Sequence, residues 1–171
     1  MIPAREAGAW LRRRAENVAA ALLAVMFVAF LVQIVFRYLF NFPIGWTAEL
    51  TVIAWLYLVL WGSAFVLRES EEIRFDLLYG AVGWRARLVM GIVFSASIAI
   101  LYGAALPATV AYVRFMEVER TSYLKIRMDW LYSIYVIFAI AVIIRYLWLL
   151  SRLLRGKDPE APDAAEPGSG L

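Results

Sequence analysis

The sequence predicts an all-α membrane protein of four transmembrane helices, and three observations carry that prediction. Apolar residues make up 64% of the chain and charged ones only 18%, against roughly 45–50% and about 25% in soluble domains. That much apolar side chain cannot be hidden inside a globule of 171 residues. The apolar residues also gather into four long runs, three of them without a charge, separated by short polar connectors, instead of recurring at a helical period.

The first run, Val18 to Phe36, is nineteen residues without a charge. At about 1.5 Å per residue it nearly crosses a hydrocarbon core of roughly 30 Å. A basic segment with Arg5, Arg12, Arg13 and Arg14 precedes it, as in a signal peptide. The run is too long for one, and Arg37-Tyr38 follows where small cleavage-site residues would stand, so an uncleaved anchor is expected. Asn41-Phe42-Pro43-Ile44-Gly45 then breaks the helix. The second run spans Leu50 to Leu67, with Trp46 at its start.

A connector over 68–87 carries four basic and four acidic residues. Ile73, Leu77, Ala81, Trp84 and Leu88 fall near one helical face there, with Arg74, Asp76, Arg85 and Arg87 mostly off it. This pattern predicts either a short amphipathic helix in the interface, Trp84 at headgroup depth, or an extension of the neighbouring helices.

The third run, Leu88 to Val113, is twenty-six residues long and must tilt or project beyond the lipid. Gly91, Ser95, Ala99 and Gly103 recur in it at intervals of four. They form either a packing stripe for another helix backbone or a chance abundance of small residues. Pro107 continues the stripe and can kink the helix. The fourth run, Trp130 to Leu150, has Trp130, Tyr132 and Tyr135 at one end and Tyr146 and Trp148 at the other, as an aromatic belt would. Trp84, Trp130, Tyr146 and Trp148 are the expected interface anchors, and Arg145 lies close enough to an end to snorkel. The expected helices are about 18–37, 47–67, 88–113 and 130–150 in a membrane domain over 1–155. The polar tail, 156–171, has almost nothing to bury and is expected to be disordered.

Orientation follows from Lys and Arg. The N-terminus, the 68–87 connector and the C-terminal flank together hold twelve, and the two remaining connectors hold five. The richer side is expected in the cytoplasm, with both termini. The net charge of +3 therefore reflects basic flanks between membrane runs, and no nucleic-acid partner is expected.

The chain has no His and no Cys. That removes structural zinc, thiolate nucleophiles, bis-His haem and His general bases, and no enzyme activity or cofactor is expected. Glu49 is the acid nearest the second run, in the first turn of its helix, where a carboxylate suits the exposed N–H groups. A proton-coupling acid would instead lie near the midplane. Arg37 and Glu49 flank one turn and can pair across it, which would help fix the hairpin between the first two helices. No substrate path or buried acid cluster is evident, and the chain reads as a scaffold.

The stretch Val35-Phe36-Arg37-Tyr38-Leu39-Phe40-Asn41-Phe42-Pro43-Ile44-Gly45-Trp46-Thr47-Ala48-Glu49-Leu50 resembles the helix 1–2 signature of the small membrane subunit of TRAP transporters, the DctQ-like family. Arg68-Glu69-Ser70-Glu71-Glu72-Ile73-Arg74-Phe75-Asp76-Leu77-Leu78 resembles its second signature, with Glu71-Glu72 where a Gly-His commonly stands. The resemblance covers roughly 15–155. It implies a bacterial inner-membrane complex in which a periplasmic binding protein captures an organic acid and a large permease subunit imports it on a sodium gradient. The small subunit, embedded in membrane lipid, would brace the large one and carry no cofactor or substrate contact. Arg37, Asn41, Pro43, Trp46, Glu49, Arg74, Asp76, Gly91, Ser95, Ala99 and Gly103 are the positions assigned to subunit packing or structure. The competing reading is a free-standing four-helix secondary transporter.

Overall fold

The computed structural model describes residues 4–42, 44–67 and 83–155, and four helices dominate it. Helix α1 runs Ala4–Tyr38, and α2 runs Gly45–Trp61 and continues as a π-helical turn, Gly62–Val66. Helix α3 runs Trp84–Phe115 and tightens into a 3-10 turn, Met116–Val118, and α4 runs Met128–Leu154. All four are long and apolar enough to cross a membrane. No strand occurs among the described residues, only an isolated bridge between Arg120 and Arg127. The chain is a multi-pass membrane protein.

All four helices start before the expected bounds, α1 and α3 by the most. Helix α1 begins upstream of the apolar run because its basic flank consists of good helix formers, with Arg12 donating to Glu16 one turn on at 2.8 Å. Its 35 residues span about 52 Å, well beyond the hydrocarbon. Helix α3 begins at Trp84, capped by extended Gly83, so Trp84–Leu88 belong to it. The rest of the expected interfacial helix lies outside the described residues, as do Arg74, Asp76 and the 156–171 tail.

The turn after α1 forms as its sequence dictates. Asn41 takes the left-handed conformation at φ 48°, tolerated by its short polar side chain. The Phe42 amide reaches back to the Phe36 carbonyl at 3.0 Å, closing the end of α1. Pro43 lies outside the described residues. Helix α2 then starts with Thr47 fully buried, its hydroxyl donating to the Ile44 carbonyl at 3.0 Å.

The helices form two antiparallel hairpins, α1 with α2 and α3 with α4, joined mainly where α2 meets α4. The core is made largely of small residues. Of the ten buried apolar residues among those described, five are alanines (Ala15, Ala29, Ala54, Ala64 and Ala139), and Gly91 and Ser95 are buried too. In lipid, association depends on close backbone approach rather than on hiding apolar area, which favours such residues. Three aromatic pairs cross the α3–α4 seam in antiparallel order: Phe94 with Tyr146 at 5.9 Å, Tyr102 with Phe138 at 5.8 Å, and Tyr112 with Tyr132 at 6.0 Å. Each is worth about 0.5–1.5 kcal/mol beyond area.

Candidate functional site: packing surfaces and polar contacts

The small-residue stripe of α3 serves over only part of its length. Gly91 and Ser95 are buried and Ala99 is half-buried, but Gly103 is exposed and a side chain there would meet open space. Residues four apart advance about 400° around a helix, so each step drifts about 40°, and Gly103 stands about 120° away from Gly91. The seam instead follows Gly91, Ser95, Ile98, Tyr102, Leu106, Thr109 and Val113, mixing steps of four and three. Helix α3 continues through Pro107.

Glu49 does not pair with Arg37. Both of its carboxylate oxygens are taken by the α3–α4 loop, where the Tyr123 amide donates at 2.7 Å and the Leu124 amide at 3.2 Å. The loop is shaped to present them. The Thr121 amide donates to the Ile126 carbonyl at 2.9 Å, the Ile126 amide donates to the Thr121 hydroxyl at 3.0 Å, and Lys125 is left-handed at φ 54°. The Tyr123 ring lies over Gly45, where any β-carbon would overlap it. Arg37 sits in the last turn of α1, where a cation suits the exposed carbonyls. Glu49→Ala is expected to make the Tyr123 and Leu124 amides exchange with solvent several-fold faster. Hydrogen exchange measures this, and unchanged rates would disprove the clamp.

Arg127 closes the loop's other side, bidentate to Asp129 at 2.7 and 3.1 Å and 3.0 Å from Glu117. Hydrogen bonding to Asp129, first of all, raises its pKa above the ordinary arginine value.

The expected anchors divide by angular position. Trp130 and Trp148 are exposed and eighteen residues apart, so they lie on one line of α4 about 27 Å from each other, close to the hydrocarbon thickness. Arg152 stacks over Trp148 at 4.8 Å. Trp84 and Trp46 are also exposed. Tyr146, by contrast, is buried against Phe94 and is no interface anchor, because it falls on the Leu131–Ile134–Val142–Leu153 face of α4. Arg145 is half-buried on that inward arc and does not snorkel. It donates to the Ser63 carbonyl at 3.1 Å and the Ala64 carbonyl at 2.6 Å, in the π-helical turn of α2.

Two contacts escaped sequence reasoning, although both come from residue types that seek a partner for a polar tip when buried. Trp61 donates its indole N–H to the Ala15 carbonyl at 3.1 Å, and Tyr57 donates its hydroxyl to the Trp130 carbonyl at 3.0 Å.

The largest unfilled surface belongs to α1, only 6% of whose most apolar window is buried. Ala20, Leu23, Ala24, Met26, Phe27 and Phe30, with Thr51 of α2, line an apolar groove of about 500 Å³. Among the described residues no cluster of His, Cys, Asp or Glu could hold a metal.

A comparison with curated proteins finds no match. The family model for the DctQ component of tripartite ATP-independent periplasmic transporters matches residues 26–156, from within the first membrane crossing to the end of the fourth. The chain belongs to the DctQ family, the small component of TRAP transporters.

Proposed function

We propose that this chain braces the large permease subunit of its transporter while that subunit imports an organic acid on the sodium gradient, the acid being delivered by a periplasmic binding protein. The observation that carries the reading is the unspent apolar surface of α1, grooved and almost unburied within the chain. Two charged groups near the membrane link separate elements of the chain: Glu49 holds a loop and Arg145 holds helix-end carbonyls. A coupling group would instead be buried near the midplane and aimed at a ligand. The test is uptake by vesicles containing the binding protein and the large subunit, with and without this chain. Uptake by this chain alone would favour a free-standing transporter.

The complex resides in the bacterial inner membrane with both termini of this chain cytoplasmic. The basic residues support that orientation. Reporters fused after residue 155 and within 70–87 are expected to report cytoplasm, and one within 116–127 periplasm. A periplasmic C-terminal reporter would reverse the assignment.

A further inference from the structure

We propose that two charged side chains act as polar staples that lock the angle between the hairpins, one at each membrane face: Arg145 of α4 grips the end of α2, and Glu49 of α2 grips the α3–α4 loop. The apolar contact between the hairpins is confined largely to α2 against α4, and the buried residues α2 brings to the core are small: Thr47, Ala54 and Ala64. Small smooth surfaces permit close approach but leave rotation about the contact weakly determined.

Directional polar contacts supply what that surface lacks. At the end of α2 the Leu67 amide closes on the Gly62 carbonyl and Leu67 turns extended, so the described helix ends there. Arg145, reaching over from α4, takes the Ser63 and Ala64 carbonyls with one guanidinium nitrogen. It is a C-cap supplied in trans, a cation on the negative end of the α2 dipole. Near the lipid, where water is scarce, carbonyls without a donor are costly, which makes this contact directive. At the start of α2 the polarity is reversed. Glu49 leaves α2 and takes two amides of the α3–α4 loop. Tyr57, bonded to the Trp130 carbonyl, lies between the two. A tilt of one hairpin against the other must break at least one staple. The inference concerns the chain by itself and does not depend on what the chain braces.

The chain has no cysteine, so spin-label pairs can be placed without altering a native thiol. One pair, at exposed Leu31 of α1 and Leu101 of α3, reads the spacing between hairpins in the full-length chain in lipid nanodiscs. A second, at exposed Val93 of α3 and Ile144 of α4, reads spacing within a hairpin. Arg145→Met and Glu49→Ala are each expected to broaden the first distance distribution and leave the second unchanged, and the double variant broadens it further. Arg145→Lys, which keeps a cationic donor, is expected to narrow it again relative to Met. Should Arg145→Met fail to insert, Glu49→Ala carries the test alone, since its contact lies at the loop. A first-pair distribution as narrow as the native one in Glu49→Ala, or in the double variant, overturns the proposal. So does equal broadening of both pairs, which would mean general loosening.

Discussion

Gly91→Leu is expected to lower the folded yield of the chain and its apparent thermal midpoint by several degrees, while Gly103→Leu leaves both near native values. Gly91 is buried on the α3 face that meets α4, beside fully buried Ser95. Leu at Gly91 adds four carbons to a close-packed seam, and such overpacking costs roughly 1–3 kcal/mol. The aromatic rungs along the seam cannot adjust freely, since moving α3 outward at Gly91 also strains the nearby Phe94–Tyr146 contact. Gly103 faces away, and a β-carbon there meets nothing. Size-exclusion profiles after heating, in detergent, measure the difference. Equal loss in the two variants would show that the seam does not run as described. A Gly103→Leu chain that folds but no longer co-purifies with the large subunit would place Gly103 against the partner.

The contrast between these glycines shows how far the sequence was legible. Long apolar runs identify membrane helices because length and polarity alone decide whether a segment can lie in lipid, and all four are readable. The breaker cluster after Tyr38 likewise marked the first hairpin turn. What one dimension cannot supply is angle. Depth along α4 puts Tyr146 and Arg145 at the interface and an interval of four puts Gly103 on the stripe, but direction around the helix axis decides where all three point. Tyr146 and Arg145 stand near the end of α4, where depth suggests the interface, yet both point inward. Glu49 shows the other gap. Its partners lie 74 and 75 residues away in sequence, and they are backbone amides, which no side-chain pattern announces. The start of α1 was misread for a simpler reason: basic residues signal a flank by charge while favouring helix by propensity.

The largest expected effect is on transport. Vesicles that contain the large subunit and the binding protein but lack this chain are expected to show no sodium-driven uptake above background, and adding the chain restores it. Within the restored complex, Glu49→Gln is expected to retain substantial uptake. Its amide carbonyl can still accept one of the two loop amides that the carboxylate takes, so the loop stays docked, and only the charge is lost. Charge at that position is not needed by a residue whose contacts are structural. Complex yield is expected to fall modestly, because one of the amides at Tyr123 and Leu124 loses its acceptor. Uptake must therefore be normalised to assembled complex.

That normalised uptake is the most direct measurement of whether this chain is a brace. Sodium-gradient uptake is recorded with the native chain, with Glu49→Gln and with no small subunit, each alongside the amount of assembled complex. Near-native uptake per complex is expected for Glu49→Gln, and none without the chain. Uptake that vanishes in Glu49→Gln while assembly stays intact would make the carboxylate part of the coupling chemistry and contradict the account.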